Sequence, residues 1–428
     1  MDGIGKSAYD KPEILYKYKG VSIPPLGMVD DVLSVSSGEN TTEINKLINT
    51  CIESKRLRLS EKKCSRIPVG SNHETCPELK VHEHIMKEAE SEKYLGDIVD
   101  KNGSIKATIE NRKKRGQGSI NEIMSILSEI PFGKYKTEVA LKLRESMLLT
   151  GMLFNSEAWH GLTSANVAAL EAIDQQLLRN ILNAHSKTTK EFLYLETGTL
   201  PIRWIIPQRR INFFKHMMTR TDDELLKKVF LAQKDNPTQG DFVKALLQDL
   251  KTFGLSYEEV AHGTESKLSL RKELRKRAKQ LAFEELVMSI QRSTKVKSIR
   301  YSKLEAQPYL LSDMTEEEKH MLTAIRSRCI RDVKANFPNM HRTCQHCPLS
   351  CSIENPHQDT QEHLLECRIL GGSNIDMDFM HAGVAEQRQL AKEFCRRMGK
   401  RTTQVDAADT PSSCCLPGAT ILDQSTRT

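Results

Sequence analysis

Short apolar runs on either side of two adjacent carboxylates form the clearest pattern near the start of the chain. Residues 26–35 read Leu-Gly-Met-Val-Asp-Asp-Val-Leu-Ser-Val, with Asp30 and Asp31 at the centre. Valine favours extended backbone and aspartate is common in turns, so the stretch predicts two short strands that meet at a tight turn. That turn would present both carboxylates together.

Helical spacing replaces this pattern after residue 40. Apolar side chains recur every three or four positions over residues 44–52, as Ile44, Leu47, Ile48, Cys51 and Ile52. This spacing predicts one amphipathic helix with a single apolar face. Thr41 or Thr42 could cap its amino end.

The next segments predict less regular structure. Leu57 and Leu59 alternate with polar residues, which predicts a half-buried strand over residues 57–63. Residues 71–92 are polar and predict a loop or a helical connection. The pair Asn102-Gly103 predicts a tight turn before the helical region.

From residue 104 to about residue 218 the apolar residues recur at helical spacing almost throughout, which is typical of a helical bundle. Residues 112–115, Arg-Lys-Lys-Arg, give the first helix a basic end, and Gly116 and Gly118 interrupt the pattern before the next one. Residues 267–290 predict a long basic helix with one apolar face. The chain as a whole therefore predicts an α+β fold that is mostly α, with a small antiparallel β part.

Composition adds a mild preference for an anionic partner. The formal net charge is +7, with 28% charged and 5% aromatic residues, so phosphate contacts are favoured over base stacking. The longest apolar run is too short to cross a bilayer. The 11 cysteines form no regular framework and no secretory signal opens the chain, which predicts a soluble intracellular protein, in the nucleus or the cytoplasm.

Two groups of residues have the chemistry of metal ligands. Asp30 and Asp31 offer hard oxygen atoms that suit Mg²⁺, although a solvated Asp-Asp turn is the alternative. The second group combines C-x₂-C with H-x₃-C, which matches a tetrahedral Zn²⁺ site. Its members are Cys344, Cys347, His363 and Cys367, with His346, Cys351 and His357 as alternative ligands.

The order of these motifs resembles the later part of the reverse transcriptase of non-LTR (LINE-like) retrotransposons. Met28-Val29-Asp30-Asp31 is similar to the family's [FYM]-x-D-D catalytic turn, and Lys93-Tyr94-Leu95-Gly96 is similar to its Y-L-G hairpin. The C-C-H-C cluster resembles the zinc knuckle that follows the thumb in that family. The resemblance covers most of residues 20–370.

This resemblance implies roles for particular residues. Asp30 and Asp31 would hold the catalytic Mg²⁺, and Lys63, with Lys62 as the alternative, would approach the phosphates of the incoming nucleotide. Tyr94 and Gly96 would hold the primer end. The basic run would contact phosphates of RNA or DNA through Arg112, Lys113, Lys114 and Arg115, although a solvated helix face is the alternative.

The resemblance also implies a division of the chain. It predicts a small antiparallel remnant of a polymerase palm, then a helical thumb bundle and a small zinc-binding module. The predicted parts are a partial palm at 1–103, a thumb and connection at 104–220, a basic helical region at 221–340, a zinc knuckle at 341–370, and a helix followed by a disordered tail at 371–428.

In the family a further catalytic aspartate comes from an earlier palm strand, and only 29 residues precede Asp30 here. We therefore expect a truncated RNA-directed DNA polymerase that is inactive as this chain alone. A non-catalytic protein that binds RNA or DNA through a basic helical bundle and a zinc knuckle is the alternative. A third interpretation is a zinc-stabilised interaction module that does not bind nucleic acid.

Overall fold

A computed structural model describes residue 8, residues 10–69, 77–130, 135–238, 240–293 and 299–329, residue 365 and residues 375–408, the side chains of 399–408 excepted. Helices account for 60% of the structure and strands for 9%. The predicted fold class, α+β and mostly α, is therefore confirmed at that level. The chain divides into two compact units, Met1–Asp313 and Met314–Thr428.

The strands of the described residues all precede the long helices and are short. They form five two-stranded sheets, of which one is parallel and the others are antiparallel. The strands are β1 Tyr16–Tyr18, β2 Val21–Ile23, β3 Leu26–Met28, β4 Asp31–Leu33, β5 Ser65–Arg66, β6 Lys80–Val81, β7 His84–Ile85, β8 Lys87–Glu88, β9 Ser91–Tyr94 and β10 Asp97–Asp100.

In its described residues, the first unit contains one α-helix among the strands and a series of helices after them. They are α1 Thr41–Ser54, α2 Lys106–Glu129, α3 Tyr135–Leu143, a π-helix Arg144–Leu149, α4 Thr150–Met152, α5 Ser164–Leu182, α6 Lys190–Thr197, α7 Ile202–Met218, α8 Leu225–Asp235, α9 Phe242–Thr252, α10 Tyr257–His262 and α11 Lys267–Gln291. Short 3₁₀ helices lie at Gly38–Asn40, Glu61–Lys63 and Pro308–Leu311.

Three sequence-based predictions about local structure are wrong. Residues 57–60 form no strand, and Glu61–Lys63 is a 3₁₀ helix. The described part of 71–92 contains β6, β7 and β8 instead of a loop or helix. The helix over Lys106–Glu129 continues through Gly116. At that position a Cβ atom would lie 3.0 Å from both Ile173 and Met152, so Gly116 allows close helix packing.

A small core holds the amino-terminal strands. Helix α1 buries Ile44, Ile48 and Ile52 as the spacing predicted, and Val32 of β4 packs against the same cluster. The predicted threonine cap is wrong, because the residue before the helix is Asn40 and Thr41 is its first residue. The packing of Val32 fixes the base of the β3–β4 hairpin, while its tip projects into solvent.

Two larger cores share helix α7. Ile202 and Ile206 belong to the core formed with α2, the π-helix and α5, whereas Ile211 and Phe214 belong to the core formed with α8, α9, α10 and α11. Pro207 lies at the change from one core to the other. Because proline donates no backbone hydrogen bond, the helix is weakened at that point.

A buried ion pair stabilises the first of these cores. Arg144, in the π-helix, donates from Nε to Asp174 Oδ1 over 2.6 Å and from Nη2 to Asp174 Oδ2 over 2.7 Å. Tyr194 Oη lies 3.2 Å from Asp174 Oδ2, and burial together with the Asp174 charge raises the pKa of Tyr194 well above its ordinary value. All three side chains are buried, so the network fixes α5, α6 and the π-helix in one arrangement.

The second unit contains helices α12 Glu316–Arg326 and α13 Val384–Ala408, with a 3₁₀ helix at Met377–His381. Thr315 and Glu318 form a capping box at the start of α12. Arg326 Nη1 and Gln387 Nε2 both donate to the carbonyl of Met380, over 2.8 and 3.0 Å. Residues 401–408 are helical, so that part of the predicted disordered tail is wrong, and residues 409–428 lie outside the described part of the chain.

Candidate functional site

The two aspartates lie at the tip of a tight β-hairpin. Strands β3 and β4 pair antiparallel with Met28 opposite Asp31, which leaves Val29 and Asp30 as the turn. Both aspartate residues are exposed. The predicted pair of strands is confirmed, but only Asp30 lies in the turn, because Asp31 is the first residue of β4.

Val29, at this tip, is one of eight non-glycine residues with positive φ among the described residues, and it is the only β-branched one of them. Val29 has φ +56°, and its residue is 83% exposed. A β-branched residue is rarely found in the left-handed region because its side chain crowds its own backbone. Val29 is exposed, so packing contacts do not compensate for the strain. Strained positions of this kind are concentrated at functional sites.

The carboxylates of Asp30 and Asp31 fit the usual protein contribution to a Mg²⁺ site. Proteins commonly bind Mg²⁺ through one or two carboxylates and leave its other positions to water and to substrate phosphates. Among the described residues no group of three or more His, Cys, Asp and Glu side chains is arranged as a metal site. An ion held by this pair would therefore take its other ligands from a bound molecule or from water.

Tyr94 lies beside the hairpin that carries the aspartates. Its hydroxyl is 3.4 Å from the carbonyl oxygen of Leu26, the first residue of β3. Burial and the Asp31 charge raise the pKa of Tyr94 above its ordinary value, so the phenol stays protonated at neutral pH. The structure thus brings together Tyr94 and Asp31, two residues that were predicted as parts of one site.

Gly96 lies in the turn of the second hairpin, between β9 and β10. Tyr94 pairs with Asp97, and the turn residues Leu95 and Gly96 have φ values of +46° and +93°. A Cβ atom on Gly96 would lie 3.2 Å from Cε1 of Phe154. The positive φ favours glycine at this position, and a Cβ atom there would also press on the ring of Phe154.

Arg112 holds this second hairpin on the bundle. Its Nη2 lies 2.5 Å from Oδ1 of Asp97, and its guanidinium carbon lies 5.2 Å from the centroid of the Phe154 ring. Asn155 donates from Nδ2 to the other oxygen of Asp97 over 3.0 Å. The Arg112 side chain is only 2% exposed, so its guanidinium is engaged inside the protein.

Asp97, Phe154 and Asn155 are residues of this site that the sequence did not predict. The helical spacing could have predicted that Arg112 is buried, because Arg112 lies on the same helix face as Ile109, Gly116 and Ile120. A charged residue on the buried face of a helix requires a partner. That partner is Asp97, directly after the Y-L-G motif.

The other predicted basic residues lie elsewhere on the surface. Lys113 pairs with Glu110 on the same helix over 3.0 Å, and Lys114 and Arg115 are exposed. Lys62 and Lys63 are exposed in the 3₁₀ helix and not at the end of a strand. The phosphate-binding roles of these residues stay predictions.

The predicted zinc ligands lie outside the described residues. This applies to Cys344, Cys347, His363 and Cys367, and equally to the alternative ligands His346, Cys351 and His357. Zinc binding stays a prediction from the spacing of these residues alone.

No family model, no curated protein and no solved structure matches the chain. None of the helices in the described part of the chain combines the length and the apolar content that a membrane crossing needs.

Proposed function

We propose that this chain is part of an RNA-directed DNA polymerase of the non-LTR retrotransposon type, with Asp30 and Asp31 as Mg²⁺ ligands. One observation carries the proposal. Two exposed carboxylates share the tip of a strained hairpin, and Tyr94 of the neighbouring hairpin lies against its base. A two-residue hairpin turn commonly needs a positive φ at its first central residue, and this chain has a β-branched valine there instead of a glycine or asparagine, which adopt it at low cost.

Each residue has a defined part in this proposal. Asp30 and Asp31 hold Mg²⁺, which neutralises charge on the nucleotide phosphates and stabilises the transferring phosphoryl group. Lys63, or Lys62, contacts the nucleotide phosphates. The Tyr94–Gly96 hairpin supports the primer end, and Arg112 and Asp97 position that hairpin on the bundle. The helices α2 to α7 form the thumb, and Zn²⁺ stabilises the segment around Cys344.

Polymerisation by the family requires a further aspartate on another palm strand. Neither β1, Tyr-Lys-Tyr, nor β2, Val-Ser-Ile, carries a carboxylate. We therefore propose that the chain by itself binds Mg²⁺-nucleotide and primer–template without extending the primer.

The first test measures Mg²⁺-dependent binding of a fluorescent deoxynucleotide to Asp30→Asn/Asp31→Asn. The matched control is Glu39→Gln/Glu43→Gln, which removes two exposed carboxylates next to the hairpin. We expect binding to be lost in the first variant and unchanged in the second. Equal binding by both variants would remove the Asp pair from any metal site.

A primer-extension assay on an RNA template tests catalysis separately. Extension by the chain alone that Asp30→Asn abolishes would show that the chain is an active polymerase, contrary to our expectation.

A non-catalytic nucleic-acid-binding protein is the second candidate function. It is favoured by the exposed basic residues of helix α11. RNA binding that requires Zn²⁺ and ignores the Asp30→Asn/Asp31→Asn change, together with no Mg²⁺-dependent nucleotide binding, would select this candidate.

A further inference from the structure

Helix α11 separates apolar and basic residues onto two faces. The buried face consists of Leu270, Leu274, Ala278, Ala282, Leu286 and Ile290. The exposed face of its first half carries Arg271, Lys272, Arg275 and Lys276. Lys267, in the first turn, opposes the helix dipole, so it does not stabilise the helix that carries it.

The one carboxylate between Arg271 and Lys276 already has a hydrogen-bond partner. Glu273 accepts from Nε of Arg277 over 2.8 Å, and Arg277 also donates to the carbonyl of Phe253 beyond the end of α9. Glu145 lies 3.5 Å from Arg275, at the long end of the ion-pair range. The internal pairing therefore leaves most of the positive charge on this face uncompensated.

Further basic residues lie on the neighbouring helix α7 and directly after its end, beside the exposed face of α11. Lys267 of α11 contacts His216 of α7, and Glu285 of α11 accepts from the indole of Trp204, so the two helices run in opposite directions. Nζ of Lys267 lies 2.8 Å from Nδ1 of His216, and Arg220 Nη2 lies 3.1 Å from its Nε2.

The pKa of His216 reflects the positive charges near the start of α11. Burial, Lys267 and Arg220 lower its pKa, and the opposing charge of Glu224 does not offset them. Nζ of Lys267 and Nη2 of Arg220 therefore lie on opposite sides of the imidazole, and both charges disfavour its protonation. Arg220 Nη1 also pairs with Oε2 of Glu224 over 3.1 Å, so part of its charge is compensated, whereas Lys267 contacts only the imidazole in this group.

Arg209 repeats this arrangement further along α7. Its guanidinium donates to the carbonyl of Leu153 and, over 3.3 Å, to Oγ of Ser156, which fixes its position. Burial lowers its pKa, and the positive charge of Arg271 acts in the same direction against that of Glu157. The side chains of Arg209 and Arg271 are therefore close enough for their charges to interact, and Glu157 compensates part of the charge of Arg209.

We infer that these residues form a docking surface for the phosphate backbone of nucleic acid, and we name the surface the cationic strip. It consists of Arg209, Arg220, Lys267, Arg271, Lys272, Arg275 and Lys276. This inference rests on the proposed function, because it identifies where the primer–template or its RNA would lie.

The dimensions suit several consecutive phosphates. Nine residue steps of α11 from Lys267 to Lys276 span about 14 Å at 1.5 Å per residue. A duplex carries one phosphate per about 3.4 Å of each strand, so roughly four phosphates fit that length. Lysine and arginine that follow a backbone in this way bind without base specificity.

The test compares two variants with the same change in net charge. The strip variant is Arg271→Gln/Lys272→Gln/Arg275→Gln/Lys276→Gln. The control variant replaces exposed lysines on α1, at its end and on α9, as Lys46→Gln/Lys55→Gln/Lys244→Gln/Lys251→Gln. Fluorescence anisotropy measures the affinity of each full-length protein for a labelled 20-nucleotide RNA and for an RNA–DNA hybrid at several NaCl concentrations.

We expect the strip variant to bind RNA at least ~10-fold more weakly at 100 mM NaCl, and the control to stay within ~2-fold of the unmodified chain. Each phosphate contact to a single strand contributes about 0.7 to the slope of log affinity against log salt, so four lost contacts reduce it by about 3. Equal losses in both variants, or RNA binding unchanged in the strip variant, would overturn the inference. Polyglutamate and phosphatidylserine vesicles serve as other anionic probes. A strip variant that binds RNA normally and binds only these probes more weakly would also overturn the inference.

Two further measurements separate this inference from the proposed function. Asp30→Asn/Asp31→Asn should keep its RNA affinity while it loses Mg²⁺-dependent nucleotide binding. The pKa of His216, followed by NMR, should rise when RNA binds, because an anion beside Lys267 and Arg220 favours the imidazolium. If nucleotide binding behaves as proposed and the pKa of His216 does not change with RNA, only the cationic strip is wrong.

Discussion

The guanidinium of Arg112 and the carboxylate of Asp97 join a hairpin of the amino-terminal region to the interior of the helical bundle. Nη2 of Arg112 lies 2.5 Å from Oδ1 of Asp97, and the guanidinium also faces the ring of Phe154. The hairpin that ends in Tyr94 is thereby held at a fixed place on α2. Because Tyr94 contacts the Asp30–Asp31 hairpin, this ion pair also positions the candidate metal site.

Arg112→Met tests this role. The substitution removes the cation and leaves Asp97 with Asn155 as a hydrogen-bond partner. Breaking a buried ion pair from one side is costly, so we expect the free energy of unfolding to fall by about 2–4 kcal/mol, measured by urea denaturation. The matched control is Lys114→Met on the exposed face of the same helix, for which we expect a change within about 0.5 kcal/mol. A change of similar size in both variants would mean that Arg112 acts only through helix propensity.

A comparison of two glycines tests how closely the hairpin approaches the bundle. Gly96 and Gly103 both have positive φ, but only a Cβ at Gly96 would meet Phe154, at 3.2 Å. Gly103→Ala carries the backbone strain alone, at about 1 kcal/mol. We expect Gly96→Ala to lower the free energy of unfolding by roughly 1 kcal/mol more than that. Equal costs would show that the contact with Phe154 relaxes freely.

Asp241 makes the attachment of the first hairpin sensitive to acid. Lys19, in the β1–β2 turn, lies 2.9 Å from Asp241 Oδ2, and Gln233 donates to Tyr18 Oη over 3.1 Å. Burial opposes ionisation of Asp241, but the hydrogen bonds from Thr238 and the charge of Lys19 outweigh it and lower its pKa from 3.8 to about 2.

A folded-state pKa below the unfolded value stabilises the fold above pH 4, and this contribution disappears as the pH falls through 2. The difference in unfolding free energy between the unmodified chain and Asp241→Asn should therefore be largest at pH 5–6 and shrink toward pH 2. Urea unfolding at several pH values measures it, with the exposed Asp235→Asn as the control. A difference that stays constant with pH would contradict the low pKa.

Local periodicity predicted those elements whose partners lie nearby in the sequence. Ile44, Ile48 and Ile52 form the buried face of α1 as their spacing predicted. Of the four leucines predicted to form the apolar face of α11, Leu270, Leu274 and Leu286 are buried, and Leu281 is only half-buried. The strand predicted over residues 57–63 is wrong. The prediction placed Leu57 and Leu59 together on one half-buried face, but the two side chains have different surroundings. Leu59 packs against the small core, whereas Leu57 is exposed.

Long-range contacts determined what the sequence could not predict. Lys19 and Asp241 are 222 positions apart, and β5 pairs in parallel with β8, where Arg66 lies 2.9 Å from Glu88. Arg112 was grouped with its basic neighbours, since a run of like charges is usually a solvated face. Its burial follows from a contact with Asp97 on a different element.

The strain at Val29 leads to a prediction in which a substitution at the candidate site stabilises the protein. Asparagine adopts positive φ at lower cost than valine because its side chain is not β-branched. Val29 is exposed, so Val29→Asn loses little packing. We expect the free energy of unfolding to rise by roughly 0.5–1 kcal/mol.

The control for this change is Val29→Thr, which keeps the branched Cβ and should keep the strain. Because Val29→Asn keeps the positive φ of the turn, it should leave the direction of the two carboxylates unchanged, and both variants should bind Mg²⁺-nucleotide as the unmodified chain does. Paired measurements of urea unfolding and nucleotide binding distinguish the outcomes. A Val29→Asn variant that is less stable than Val29→Thr would show that φ at this turn is not strained, and the argument from strain to a metal site would then fail.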